Sequence, residues 1–281
     1  MSLQNTNTAM ATPLFEVAGV SFAYPGFAPA LEQVSFQVAA GERVALLGAN
    51  GSGKSTLLLL LDALVFPTAG TICMRGEPLT RATTDDSAWG RRFRQEVGLL
   101  FQQADAQLFS PSVEEELAFA PLQLGLPAGE VARRVDDALA MMDLAPLRRR
   151  PPQTLSAGQQ KRVALAALLT AAPRVLLLDE PTAGLDPRHQ ARLLELLAGL
   201  SETGMTLITA THDLTLLPHL AGRALVLDEA HRLAADGPVH DILHETDLLA
   251  RVNLIHAHSH RHGEVMHAHP HTHIIAHDHG H

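Results

Sequence analysis

"GANGSGKST", residues 48–56, follows the apolar run "RVALL" and leads into "LLLLLDAL". It fits the pattern G-x-x-x-x-G-K-[ST], with Gly48, Gly53, Lys54 and Ser55 at the fixed positions. The spacing has a physical reason. Glycines let successive backbone N–H groups curl around phosphate oxygens, and the N-terminus of the following helix adds its positive dipole end. Gly48, Ala49, Asn50, Gly51, Ser52, Gly53, Lys54, Ser55 and Thr56 thus form a candidate phosphate cradle, in which Lys54 reaches the outer phosphates and Ser55 ligates Mg2+. A chance glycine-rich turn is the alternative; a strand signal before it and a helix signal after it count against that.

The partner that such a loop needs lies at 175–181, "VLLLDEP", an apolar run ending in two carboxylates. Asp179 is placed to hold the Mg2+ shell, and Glu180 to orient or deprotonate an attacking water. Around these two motifs, "LFEVAGVSFAY", "EQVSFQVAA", "ERVALLG", "EVGLLF", "RVLLLD" and "MTLITATH" read as strands, and 223–237 as a strand pair with a turn in its middle. Helical periodicity occupies 54–64, 128–143, 157–172 and a stretch from Pro187. Ser112 can cap a helix over "VEEELAFA", with Glu115 completing a capping box. Alternating strands and helices point to an α/β sheet covered on both faces.

Composition narrows the function further. A formal charge of -9 with histidine neutral gives no basic surface for nucleic acid. The runs "GRRFR" and "RRRPP" read as solvated helix faces or turns. Cys73 is the single cysteine, which leaves no intramolecular disulfide and points to a reducing compartment. The start, "MSLQNTNTAMATP", lacks the basic and apolar stretches of a signal peptide. The runs "LLLLLDALVF" and "VALAALLTAA" fall short of a membrane span, so the chain itself is not expected to cross a bilayer.

The order of motifs resembles the nucleotide-binding subunit of ATP-binding cassette (ABC) transporters. "LSAGQQKR" at 155–162 looks like that family's signature loop, "AGLD" ending at Asp186 its D-loop, "ATHD" its switch histidine, His212, and Gln102 in "LLFQQ" its Q-loop glutamine. The resemblance implies a P-loop NTPase core of ABC type with an antiparallel β subdomain and a helical signature subdomain. It implies a homodimer or a pair of related subunits, with ATP held between one chain's phosphate loop and the other's Ser156, Gly158 and Gln159. Ala157 stands where the family usually has glycine, a change tolerable at negative φ. Tyr24, in "SFAYPG", reads as a strand-end aromatic, and the resemblance implies that it stacks on adenine. His212 reads as a core histidine or, by its place after "LITAT", as a hydrogen-bonding partner of the γ-phosphate. Gln102 would lie near Mg2+ and the attacking water.

"FQQADAQLFSPSVEEELAFAPLQLGL" is similar to the Q-loop region of energy-coupling factor ATPases, and most to their cobalt and nickel branch; Ala104 and Ala106 depart from it. This implies ATP hydrolysis that powers import of cobalt or nickel through integral membrane subunits. The chain would then sit peripherally on the cytoplasmic face of the membrane, with Glu114, Glu115 and Glu116 meeting cationic coupling helices. A zinc or manganese importer's ATPase is the near alternative, and a soluble ABC ATPase acting on ribosomes or DNA a more distant one.

The expected layout is a flexible start at 1–12, the ATPase domain at 13–237 with its helical subdomain at about 103–172, a helical extension at 238–255, and a histidine-rich, disordered end at 256–281. That end interleaves histidine with other residues, unlike a purification tag. His256, His258, His260, His262, His267, His269, His271 and His273 stand in H-x-H steps that could hold Ni2+, Co2+ or Zn2+, the alternative being a solvated tail without function.

Overall fold

The structure, a computed structural model, describes residues 12–85, 88–262 and 265–271, and only the backbone of 256–262 and 265–271. Two kinds of sheet follow from two kinds of sequence pattern. In β1 (Phe15–Ala23) and β2 (Pro29–Val38) buried and exposed residues largely alternate, as a half-covered antiparallel sheet requires. With β4 (Ala69–Met74) and β5 (Glu77–Pro78) they form a sheet in the order β2-β1-β4-β5. β7 (Val175–Asp179) and β8 (Thr206–Ala210) instead bury every residue, the signature of a strand covered on both faces. They belong to a six-stranded sheet, β10-β9-β3-β8-β7-β6, with β3 at Arg43–Leu47, β6 at Val97–Leu100, β9 at Arg223–Leu227 and β10 at Leu233–Pro238. Its pairs are parallel except β9 with β10.

Helix α1 (Lys54–Leu61) is packed with the inner face of the small sheet, which explains why leucines crowd all of its sides. Leu57, Leu58, Leu60 and Leu61 join Phe15, Val34, Ile72, Leu177 and Ile208 in one buried cluster. α2 (Arg81–Thr84) and α3 (Ala88–Glu96) lie at its border, and the "GRRFR" run is a solvated face of α3 with Phe93 turned inward and stacked on Trp89. Across the large sheet, α4 (Val113–Gln123), α5 (Ala128–Met141), α6 (Ala157–Thr170) and α7 (Pro187–Glu202) share a second cluster that includes Leu117, Val135, Leu139, Val163, Leu176 and Leu197. α8 (Leu217–Leu220), α9 (Val239–His244) and α10 (Thr246–Arg251) cover β3 and β9, with Leu217, Ile242, Leu249 and Val252 joining Leu47 and Val226 in a third cluster.

The acidic run at 114–116 is not the free docking surface that its charge suggests. Glu114 pairs with Arg148, which also holds Asp136. Glu116 is buried and accepts the backbone N–H groups of Phe109 and Ser110, at 3.0 and 2.8 Å. Glu115 donates its backbone N–H to Ser112, capping α4, but its carboxylate takes the Ser112 hydroxyl rather than returning to the Ser112 N–H. A reciprocal capping box forms instead at Ser156 and Gln159, at the start of α6. All three glutamates serve the local fold.

The end of the chain also departs from expectation. His256–His262 (β11) and Val265–His271 (β12) form an antiparallel ladder in which His256 stands opposite His271, His258 opposite His269 and His260 opposite His267. A strict two-residue repeat is a strand pattern whatever its composition, so the feature read as disorder carries its own secondary-structure signal. Residues 1–11, most of the stretch expected to be flexible, and 272–281, including His273, lie outside the described residues.

Asp62, at the C-cap of α1, borders a cavity of about 370 Å³ with Phe93, Leu99, Phe101 and Leu168. Burial pushes its carboxyl up to about 7. The unfolded carboxyl ionises near pH 4, so the stability linked to this group is fully present below about pH 4, falls as pH rises towards 7, and is flat above. Asp62→Asn should therefore raise stability at pH 8 by about 1–4 kcal/mol while changing it little at pH 4. Urea unfolding across that range checks this; parallel pH profiles of the two proteins would mean that water reaches the carboxyl freely.

Candidate functional site

Since β3, β8 and β7 are parallel neighbours, their C-terminal ends share one edge of the sheet. The register puts Leu46 of β3 and Asp179 of β7 on either side of Ala210 in β8. The loops leaving those three strand ends carry the phosphate cradle, Glu180 and His212. Ligands of open α/β sheets bind at such an edge.

The cradle needs its glycines. Gly48, Gly51 and Gly53 have φ of 152°, 85° and 104°. A Cβ on Gly53 would stand 2.3 Å from the Ala30 carbonyl, and one on Gly48 2.7 Å from that of Leu227. Both obstacles are backbone, so neither yields cheaply. Lys54 is buried, and its Nζ donates to the carbonyls of Gly48 and Ala49 at 2.7 and 3.0 Å. Burial lowers its pKa, opposed by the charges of Glu180 and Asp179. The Ser52 hydroxyl is buried within the loop without a hydrogen-bond partner, an orphan of the kind that a bound ligand satisfies.

Asp179 is buried and hydrogen-bonded to Ser55; burial raises its pKa, and the Ser55 bond and the two nearby lysines pull it back. Next to it Glu180 adopts a left-handed φ of 47°, a strain of about 1–3 kcal/mol that persists only where surroundings over-determine it. Here they do. The Glu180 N–H donates to Ala210, its carbonyl receives both Ala183 N–H and Lys161 Nζ, and its carboxylate receives His212 Nδ1 at 2.7 Å. Thr211 Oγ1 lies 3.5 Å from the other carboxylate oxygen.

Lys54, Asp179 and Glu180 border a cavity of about 480 Å³, whose wall also includes Asn50, Gly51, Gly53, Ser55, Thr56 and Gln102, whereas His212 stands outside the wall and reaches it only through Glu180. Ser55, Asp179 and Gln102 supply only oxygen donors towards a metal, the set that suits Mg2+. Tyr24 does not line the wall. Its ring packs edge-on against Phe22 and its hydroxyl lies 3.4 Å from Thr56 Oγ1. The aromatic in the wall is Phe27, 77% exposed. Ser156, Gly158, Gln159 and Asp186 are also outside it. Ser156 and Gln159 cap α6, and Asp186 caps α7 by accepting the His189 N–H. Ala157 begins α6 without a positive φ, so the extra methyl is accommodated.

Three contributors escaped the sequence reading. Phe27 sits in the turn "PGFAP", where an apolar aromatic with no core to enter is itself a signal. Lys161, buried inside the signature stretch, pins the Glu180 and Ala183 carbonyls at 2.7 and 2.8 Å. His231 borders the cavity and has a buried Nδ1 without a partner; nothing in its surrounding sequence marks it.

Residues 31–183 match the ABC transporter family. A nickel import ATP-binding protein of Rhodobacter capsulatus is 51% identical over 247 residues, covering 87% of this chain and 96% of that protein. The structure of cbiO1 from Clostridium perfringens, described as part of the ABC transporter complex cbiONQ, superposes with a TM-score of 0.71 at 35% identity, over 86% of this chain and 95% of that one. A dimeric bacterial ABC transporter cassette gives a TM-score of 0.72 at 28% identity, over 80% and 98%.

Lys54→Ala should remove the cation of the cradle while leaving its glycine path intact. Titration calorimetry with ATP is expected to show affinity weakened by at least about tenfold, the loss of one charge-assisted contact. Unchanged affinity would contradict the cradle.

Proposed function

This chain belongs to the ABC transporter family of ATP-binding proteins, and we propose that it is the subunit whose ATP hydrolysis powers import of nickel or cobalt through a membrane-embedded partner. The observation that carries the enzymatic part is the convergence of Lys54, Ser55, Asp179, Glu180 and His212 at three neighbouring strand ends. The likeness over nearly the whole chain to a nickel import ATP-binding protein, and to a component of the cbiONQ complex, supports the cargo. Among the described residues no helix is long and apolar enough to cross a membrane, which agrees with a peripheral subunit on the cytoplasmic face.

ATP enters with its phosphates on the N–H groups of the cradle, where Lys54 exchanges its carbonyl partners for phosphate oxygens. Ser55, Asp179 and Gln102 would hold Mg2+, which when bound offsets phosphate charge. Glu180 accepts a proton from the attacking water. His212 is held beside that carboxylate through Nδ1, and with nucleotide bound it would give up this bond and turn to donate an N–H to the γ-phosphate. The wall formed by one chain lacks Ser156 and Gly158. A second copy or a related chain, docked head to tail as in ABC dimers, supplies them and completes the site. Phe27, with Tyr24 behind it, offers the base an aromatic surface.

The histidine-rich end would act beside this machinery. Its ladder puts His256 and His271, His258 and His269, and His260 and His267 in register, with His262 at the end of the first strand; His273 lies outside the described residues. Imidazole suits Ni2+, Co2+ and Zn2+, and the segment would buffer such ions at the membrane face.

The test is uptake into vesicles that hold this chain with its membrane partners. Nickel or cobalt should accumulate in an ATP-dependent way. Glu180→Gln is expected to keep ATP binding while slowing hydrolysis and uptake by about 10²–10⁴-fold. Accumulation of zinc or manganese instead would overturn the cargo and leave the ATPase standing; a fully active Glu180→Gln would overturn the role of Glu180.

A further inference from the structure

Away from the nucleotide cavity, α9 carries two exposed imidazoles one helical turn apart, His240 and His244. Their ring centres are 4.3 Å apart, with the planes inclined at 33°. Each has its Nδ1 engaged by an acceptor: His244 Nδ1 lies 2.6 Å from the His240 carbonyl, and His240 Nδ1 3.2 Å from Asp241 Oδ1. An acceptor at Nδ1 fixes the proton there and leaves Nε2 as a free lone pair, the arrangement that orients a metal-ligating histidine.

We propose that His240 and His244 chelate a late first-row divalent cation, Ni2+, Cu2+, Co2+ or Zn2+, with water completing its coordination. A metal–nitrogen bond of about 2.0–2.1 Å puts each ring centre about 3.2 Å from the ion, so two cis ligands at a right angle have centres about 4.5 Å apart, against about 5.2 Å for a tetrahedral pair. The observed spacing is within reach of either geometry, so the pair suits this group of ions without selecting one of them. The imidazole χ2 is soft, so the lone pairs are aimed by rotation rather than by moving the helix. The opposite face of α9 is anchored, with Val239 and Ile242 buried against Leu249 and Val252. Asp241, Glu245 and Asp247 surround the pair with exposed negative charge. Among the described residues no third His, Cys, Asp or Glu joins it, so the site is open and exchangeable.

The site stands apart from the nucleotide chemistry and does not depend on which ion is transported. Residue-resolved labelling separates it from the histidine-rich end. The full chain is treated with diethylpyrocarbonate with and without NiCl2 in excess over all histidines, and acylation is read at each histidine by peptide mass spectrometry. Nickel should lower labelling of both His240 and His244 at least threefold. In His244→Ala, which should hydrolyse ATP as the parent does, His240 should lose that protection. Equal labelling with and without nickel in the parent would overturn the proposal. So would protection of His240 that survives in His244→Ala, because the ion would then be held by other groups.

Discussion

Four charges are buried around the tips of β7, α1 and α6: Asp179, Glu180, Lys54 and Lys161. A buried charge costs several kcal/mol unless it is paired and hydrogen-bonded. Here the signs balance two against two. The lysines spend their donors on carbonyls of Gly48, Ala49, Glu180 and Ala183 rather than on the carboxylates, so they neutralise Asp179 and Glu180 through space and leave the carboxylate oxygens for Ser55 and His212. The carboxylates are thereby stabilised without being capped. That arrangement requires the turn after β7, the glycine loop after β3 and the first turns of α6 to stay in fixed relation, and the parallel register across β8 provides it.

What the sequence revealed was whatever depends on backbone. Gly48 and Gly53 are legible because the loop leaves no volume for a Cβ, and "VLLLD" because a strand buried on both faces tolerates no polar residue until its tip. Side-chain partnerships across long separations were not legible. Glu114 looked free because Arg148 is thirty-four positions away, and Glu116 because its partners are backbone N–H groups that no residue letter announces. Tyr24 and Phe27 are three positions apart in one turn, and only the course of that turn decides which ring reaches the cavity. In the histidine-rich end the H-x-H step was legible, but it was read as spacing for a metal and not as the period of a paired strand.

The helical layer leaves little unspent charge. Arg133 and Arg134 both hold Glu130, Arg148 joins α4 to α5, and Arg192 pairs with Asp143. Exposed pairs of this kind contribute little stability one at a time, but they fix which helix faces which. The cavity beside α1 has the Asp62 carboxyl and the Phe101 ring in one wall, an electrostatic setting unlike that of the paired glutamates on α4.

Lys161 joins the first turns of α6 to the backbone of Glu180. In the proposed head-to-tail pair, the α6 that leans on one nucleotide is bolted to the carboxylate that attends the other. The two pockets are then wired in series: any shift of α6 at one interface is delivered, within a single side chain's length, to the proton acceptor of the opposite one. Two ATP molecules that never touch would share one mechanical axle.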